Sequence, residues 1–182
     1  MSKRAKAVAW SLCLWLAAGA GSSLRAQAAA AAPAPLALGT TAPNVVVVFG
    51  GKTRSLKSLL AGNRSAILFY PGACASCDAE LQAVDKATLQ QLGKLGFAVI
   101  AVSPDPPADQ AVAASRLSLL YPVASDPKGA AASAFHAAGS VLYLLDRDGR
   151  VRYASNLDET PLQGAALVSA AQSLRRASRL AR

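Results

Sequence analysis

Two cysteines three positions apart, Cys74 and Cys77, are the residues of this 182-residue chain whose types and spacing could do chemistry. They stand in I-L-F-Y-P-G-A-C-A-S-C-D-A-E-L, residues 67–81. The apolar run 67–70 has the pattern of a buried strand, Pro71 and Gly72 break it, and from Ala75 onward the composition favours a helix. The two thiols therefore fall where a strand hands over to a helix N-terminus. Unpaired N–H groups and the positive end of the helix dipole stabilise a thiolate there, so at least one of the pair should have a depressed pKa. Because the thiolate is the reactive form, this placement predicts redox chemistry rather than packing.

Competing readings of Cys-x-x-Cys are weaker. A structural zinc site needs a second pair of ligands, and the chain has three cysteines in all and a single histidine, His136. A purely structural disulfide at this spacing would close a very short loop and add little to folding. Too few cysteines exist for a disulfide-stapled miniature fold, and the 53% hydrophobic content permits an ordinary core.

The third cysteine, Cys13, lies in a stretch that reads as a secretory signal peptide over residues 1–28. Lys3, Arg4 and Lys6 precede an apolar run at 7–20, and Ala26-Gln27-Ala28 supplies a small-x-small cleavage pattern. The run is shorter than the roughly 20 residues needed to span a bilayer, so no spanning segment is expected after signal removal. The expectation is an exported, periplasmic or otherwise extracytoplasmic protein whose mature form keeps only Cys74 and Cys77. An Ala/Pro linker at 29–35 follows, then one domain over 36–174 and a basic C-terminal tail at 175–182.

The formal charge of +9 is concentrated at the two ends. Lys3, Arg4, Lys6 and Arg25 belong to the signal, and Arg175, Arg176, Arg179 and Arg182 to the tail. Removing these eight from the 19 basic residues leaves 11 against 10 acidic ones. A near-neutral domain argues against a nucleic-acid-binding surface. The arginine tail reads most simply as a solvated helix end.

Several elements are needed to hold the cysteines. Val45–Phe49 and Lys52–Arg54 form a hairpin about Gly50-Gly51, Ser55 opens a short helix to Ala61, and a strand at 66–70 leads to the cysteines. One helix over about 75–92 follows, with Leu81, Val84, Leu89 and Leu92 inward. Phe97–Ser103 is apolar throughout, which predicts a central strand buried on both faces. Then come a helix at 109–117, a short edge strand at 121–124, a helix at 129–137, a hairpin of 141–145 with 151–155 about Asp148-Gly149, and a helix from Pro161 to about Arg179. This order predicts an α/β sandwich: a central mixed β-sheet flanked by helices.

The element order and three stretches resemble the thioredoxin superfamily, in the redoxin branch that holds TlpA-like thiol-disulfide oxidoreductases and peroxiredoxins of the alkyl hydroperoxide reductase/thiol-specific antioxidant type. F-Y-P-G-A-C-A-S-C-D-A-E-L at 69–81 looks TlpA-like. V-I-A-V-S-P-D at 99–105, with S-D-P-K-G at 125–129, is closer to peroxiredoxins, and V-L-Y-L-L-D-R-D-G-R-V at 141–151 is shared. The resemblance implies a thioredoxin-like fold and no bound cofactor. In its oxidoreductase form Cys74 is the attacking thiolate and Cys77 the resolving thiol, and the partners are protein thiols or disulfides and a redox partner protein. In its peroxidase form the substrate is peroxide and the peroxidatic cysteine aligns with Cys77, but Cys74 stands where that family has threonine.

Flanking residues are assigned on the same basis. Pro71 and Ser140 occupy positions that face the substrate; at Ser140 the oxidoreductases carry a cis-proline and the peroxiredoxins an arginine. Losing proline should loosen docking, and losing arginine should slow peroxide reduction. Glu80, one turn beyond Cys77, is placed to relay a proton or to sit on the helix surface. Asp78 beside Cys77 would raise its thiol pKa. His136 is the one candidate to complete a copper site with Cys74 and Cys77, which leaves a copper-binding or redox-sensing module as a non-enzymatic alternative.

Overall fold

The apolar runs at 66–70 and 97–103 lie side by side at the middle of a sheet, and the rest of the architecture follows from covering both of its faces. In the computed structural model, which describes residues 33–180 apart from Ala61 and Ala73, the chain runs β1 (Val46–Phe49), β2 (Lys52–Ser55), α1 (Leu56–Leu60), β3 (Arg64–Phe69), α2 (Ala75–Gln82), α3 (Lys86–Lys94), β4 (Phe97–Ser103), α4 (Pro107–Arg116), β5 (Val123–Ser125), α5 (Ala130–Ala134), β6 (Val141–Leu145), β7 (Val151–Asn156) and α6 (Gly164–Leu180). The expected signal peptide, with Cys13, and the start of the expected linker lie outside the described residues. No helix among the described residues is long and apolar enough to cross a membrane.

The strands form one mixed sheet in the order β2-β1-β5-β4-β3-β6-β7. β3, β4 and β5 are parallel, with Ile67 opposite Ile100 and Val102 opposite Ala124, while β6 runs antiparallel to β3 with Phe69 opposite Val141. The two-residue side-chain alternation of a strand divides β3 between two cores. Ala66, Leu68 and Tyr70 pack with Leu81, Leu92 and Leu167 on the face covered by α2, α3 and α6. Ile67 and Phe69 pack with Leu56, Ala131 and Phe135 on the other. There Phe69, Phe135 and Tyr143 stack with ring centroids 5.0–6.2 Å apart, and the Tyr143 hydroxyl accepts from the Leu36 N–H, tying down the start of the domain.

Three expectations are corrected. The helix expected over 75–92 is two helices, because Asp85 caps α3 by accepting from the Thr88 N–H at 2.7 Å and so starts a new axis. Gly164 seats in the break: a Cβ there would lie 2.6 Å from the Ala83 carbonyl oxygen and against the Thr88 hydroxyl. The second correction is that the last helix begins at Gly164 and not at Pro161. Third, β5 is not an edge strand. β1 folds against it with Val48 opposite Ser125, so the β1–β2 hairpin supplies that edge.

Candidate active site

β3 delivers the chain to the cysteines and α2 receives it. After Phe69 the exposed Pro71 and the left-handed Gly72 (φ 109°) turn the backbone toward the helix. A side chain at Gly72 would place its Cβ 2.8 Å from Oδ1 of Asp105, so glycine is required here by both conformation and space. Asp105 is held in turn by the Ser103 hydroxyl, which donates to Oδ2 at 3.1 Å, and the buried Gln110 amide donates to that hydroxyl at 3.0 Å and to the Ala124 carbonyl at 2.9 Å. The end of β4 thereby fixes the loop that carries the cysteines.

Cys74 is the N-cap of α2, and its sulfur accepts the Cys77 N–H at 3.0 Å. The two sulfurs are joined in a disulfide with Cα atoms 5.1 Å apart. Their surroundings differ sharply: Cys74 is half-buried, with the Ser76 hydroxyl 3.3 Å from its sulfur, whereas Cys77 is 1% exposed and packed in the core. On reduction, the N–H already aimed at the Cys74 sulfur and the positive end of α2 would stabilise a thiolate there.

Behind Cys77 lies a polar group inside an apolar wall. The Ser140 hydroxyl is 4.0 Å from the Cys77 sulfur and is buried. Glu80, one turn along α2, is only 6% exposed, and its Oε2 has no hydrogen-bond partner. Burial raises its pKa, the Ser140 hydroxyl opposes the shift, and the Asp158 charge adds to it. Of the two roles open to Glu80 in the sequence, the helix-surface one is ruled out by its burial. Cys77, Glu80 and Leu81 form the inward stripe of α2, and that spacing marks Glu80 as buried.

Ser140 lies beside Cys77, immediately before β6. Its hydroxyl is sealed from solvent, its carbonyl accepts from the Leu157 N–H at 2.8 Å, and no peptide among the described residues is cis. Gly139 beside it (φ 148°) is overhung by the Asp158 carboxylate, where a Cβ would collide. Asp78 does not bear on Cys77 as a free charge. Arg116 of α4 binds it bidentately at 2.7 and 2.9 Å and, through that hydrogen bond, lowers its pKa.

His136 is exposed, in a left-handed conformation (φ 55°) just beyond α5. No group of three or more His, Cys, Asp or Glu side chains among the described residues could hold a metal ion, so the copper site with Cys74 and Cys77 has no assembled donor set. A 210 Å³ cavity lined by Leu56, Leu60, Ile67 and Phe135 opens near the start of β3 and contains neither cysteine. Asp105, Asp158 and the Ser103–Gln110 pair are the parts of the site that the sequence reading missed.

A sequence model of the AhpC/TSA family matches residues 38–154. The chain belongs to the AhpC/TSA family. No curated protein matches it. Solved structures of similar fold fall in both redoxin groups. Peroxidoxin BcpB from Mycobacterium tuberculosis is 22% identical with a TM-score of 0.65, over 77% of this chain and 96% of that one. A Chlorobium tepidum protein designated thiol:disulfide interchange protein DsbE is 22% identical with a TM-score of 0.61, over 75% and 99%. The bacterioferritin comigratory protein of Xanthomonas campestris, studied for alkyl peroxide reduction, is 21% identical with a TM-score of 0.61, over 72% and 92%. The redoxin family and the thioredoxin-like fold, a seven-stranded mixed sheet flanked by helices, are thus as the sequence implied.

Proposed function

We propose that the protein is an exported thiol-disulfide oxidoreductase that cycles Cys74 and Cys77 between dithiol and disulfide, with protein thiols or disulfides as substrates. The observation that carries this reading is the asymmetry of the pair: a half-buried Cys74 sulfur at a helix N-cap, and a 1% exposed Cys77 backed by Ser140 and Glu80. In the reducing direction the Cys74 thiolate attacks one sulfur of a substrate disulfide, forming a mixed disulfide and releasing the other sulfur as a thiolate. The Cys77 thiol then gives its proton toward the Glu80 carboxylate. The resulting thiolate attacks the Cys74 sulfur, closing Cys74–Cys77 and releasing the second substrate sulfur as a thiolate. A carboxyl raised by burial lies closer to a thiol in pKa than an exposed one, which suits this transfer. Export rests on the signal-like pattern of residues 1–28, and the extracytoplasmic location is part of the proposal.

Family membership favours a second reading, a thiol-dependent peroxidase with Cys77 as the peroxidatic sulfur. Against it stand the burial of Cys77, a serine at 140, and an Arg116 whose guanidinium is engaged by Asp78. The discriminating experiment compares reduction of a protein disulfide with consumption of hydrogen peroxide by the reduced protein. The oxidoreductase reading expects fast exchange that either Cys74→Ser or Cys77→Ser abolishes, with slow peroxide consumption. Rapid peroxide turnover that survives Cys74→Ser reverses the order of the two.

A further inference from the structure

We propose that Asp158 is a positioning residue for the thiol chemistry: seated over Gly139, its carboxylate sets a fixed negative charge behind Cys77 and thereby governs the proton on Glu80. Asp158 stands on the turn after β7, where the Asn156 side-chain oxygen accepts its N–H at 3.1 Å and the Thr160 N–H donates to the Asn156 carbonyl at 3.1 Å. The Leu157 N–H donates to the Ser140 carbonyl at 2.8 Å and so lays this turn along Gly139 and Ser140. A Cβ at Gly139 would collide with Oδ2 of Asp158 and lie 3.3 Å from its Cγ, which shows the carboxylate turned in over the chain that leads to Ser140. Ser140 is buried, with its hydroxyl 4.0 Å from the Cys77 sulfur. A line of neighbours therefore runs from the exposed Asp158 to the buried sulfur.

This seat brings the fold no bond in return. Gly139 takes φ 148°, a backbone that side chains rarely adopt, and the Asp158 carboxylate accepts no hydrogen bond and enters no ion pair among the described residues. Glu80 is 6% exposed with Oε2 unpartnered, and Cys77 shares its helix face one turn earlier. Asp158 is the charge that acts on it from outside α2, with the Ser140 hydroxyl as its polar neighbour. No cation pairs with either carboxylate: Asp78 engages Arg116, Asp146 engages Arg152, and the Asn156 amide holds Glu159 at 3.0 Å. Burial favours the protonated form of Glu80 first, and the Asp158 charge adds to that preference across an interior that screens it poorly. On the oxidoreductase reading, on which the catalytic part of this proposal rests, the consequence is a stronger base. Once ionised, Glu80 takes the Cys77 proton more readily, and it becomes ionised only at higher pH.

Glu80 and Glu159 are the only glutamates in the chain, so carbon-13 at the glutamate side-chain carboxyl gives two resonances that can be titrated separately, with Glu80→Gln assigning them. In the reduced full chain, Asp158→Asn should move the Glu80 midpoint to lower pH. Asp148→Asn, which removes the same charge on the β6–β7 turn, should leave it in place. Stopped-flow measurement of the step that closes Cys74–Cys77 should show its rise beginning at lower pH in Asp158→Asn and levelling off at a lower rate. A Glu80 midpoint that Asp158→Asn leaves unmoved overturns the proposal, because a purely structural Asp158 would alter stability alone. A midpoint that moves in a protein unable to exchange disulfides at any pH upholds the charge coupling and overturns the oxidoreductase reading instead.

Discussion

At their C-terminal ends β3 and β4 meet Cys74, Cys77, Glu80, Asp105 and Asp158; at their N-terminal ends, about 17 Å away along the strands, they meet Arg64, Lys94, Arg147 and Arg175. The first end has its ionisable groups packed against backbone or sealed in the core, and the glycines there are dictated by contact. Gly72 and Gly139 each lie under a carboxylate. The second end has an open cavity, and the nearby Gly149 (φ 74°) would meet nothing if it carried a side chain. One end is built to tight tolerances around a buried sulfur and the other to present charge. The near-neutral balance of residues 29–174, 11 basic against 10 acidic, does not reveal this polarity, because net charge records nothing of where the charges stand.

The largest effect expected from breaking this contrast is at the sulfurs. Cys74→Ser and Cys77→Ser should each lower disulfide exchange by at least about 10³-fold, while Arg147→Glu leaves it unchanged, as measured by reduction of a protein disulfide. Glu80→Gln should slow the same reaction about tenfold to a hundredfold, mainly in the step that closes Cys74–Cys77, as followed by stopped-flow. It should also change how stability depends on pH. Because the folded pKa of Glu80 is raised, the native state binds its proton more tightly than the unfolded chain. Stability is therefore fully present below the unfolded carboxylate pKa and declines as pH rises through the raised one. Urea denaturation of the reduced protein over a pH series should show this decline in the natural chain and its loss in Glu80→Gln.

Glycine substitutions sharpen the comparison at the level of packing. Gly139→Ala forces a Cβ into Asp158 and should destabilise the fold by about 2 kcal/mol, whereas Gly149→Ala meets only its left-handed backbone and should lose about 1 kcal/mol. Chemical denaturation measures both, and Asp158→Ala should recover part of the first loss. The smallest effect belongs to Arg116→Gln. It frees the exposed Asp78 charge near Cys77 and should slow the closing step by less than about threefold, an effect that salt should diminish.

How much of this was legible in the sequence depended on whether the signal was local. The strand-turn-helix around Cys74 and Cys77, the buried Phe97–Ser103 strand and the hairpin after β6 are each written in adjacent residues, and they stand where the pattern put them. The break between α2 and α3 was also local, in Asp85 with Thr88 three residues on, and was masked by an otherwise continuous run of helix-forming residues. β5 was misplaced because a three-residue strand carries no mark of what pairs with its far side; its partner there is β1, where Val48 lies opposite Ser125, 77 residues away in the chain. Asp105 and Asp158 could not be found from sequence, since their part in the site comes from lying over Gly72 and Gly139 across loop contacts. Arg175 was read as part of a solvated helix end, and the bond its guanidinium donates to the Lys94 carbonyl depends on a neighbouring helix that the local pattern does not show.

The division of labour between the two sulfurs is tested most directly by trapping. Cys77→Ser, reduced and mixed with a disulfide-bonded protein substrate, should stop as a stable mixed disulfide at Cys74, and Cys74→Ser should form none at Cys77. A mixed disulfide at Cys77, or a sulfenic acid formed there on brief exposure of Cys74→Ser to stoichiometric hydrogen peroxide, would contradict the account.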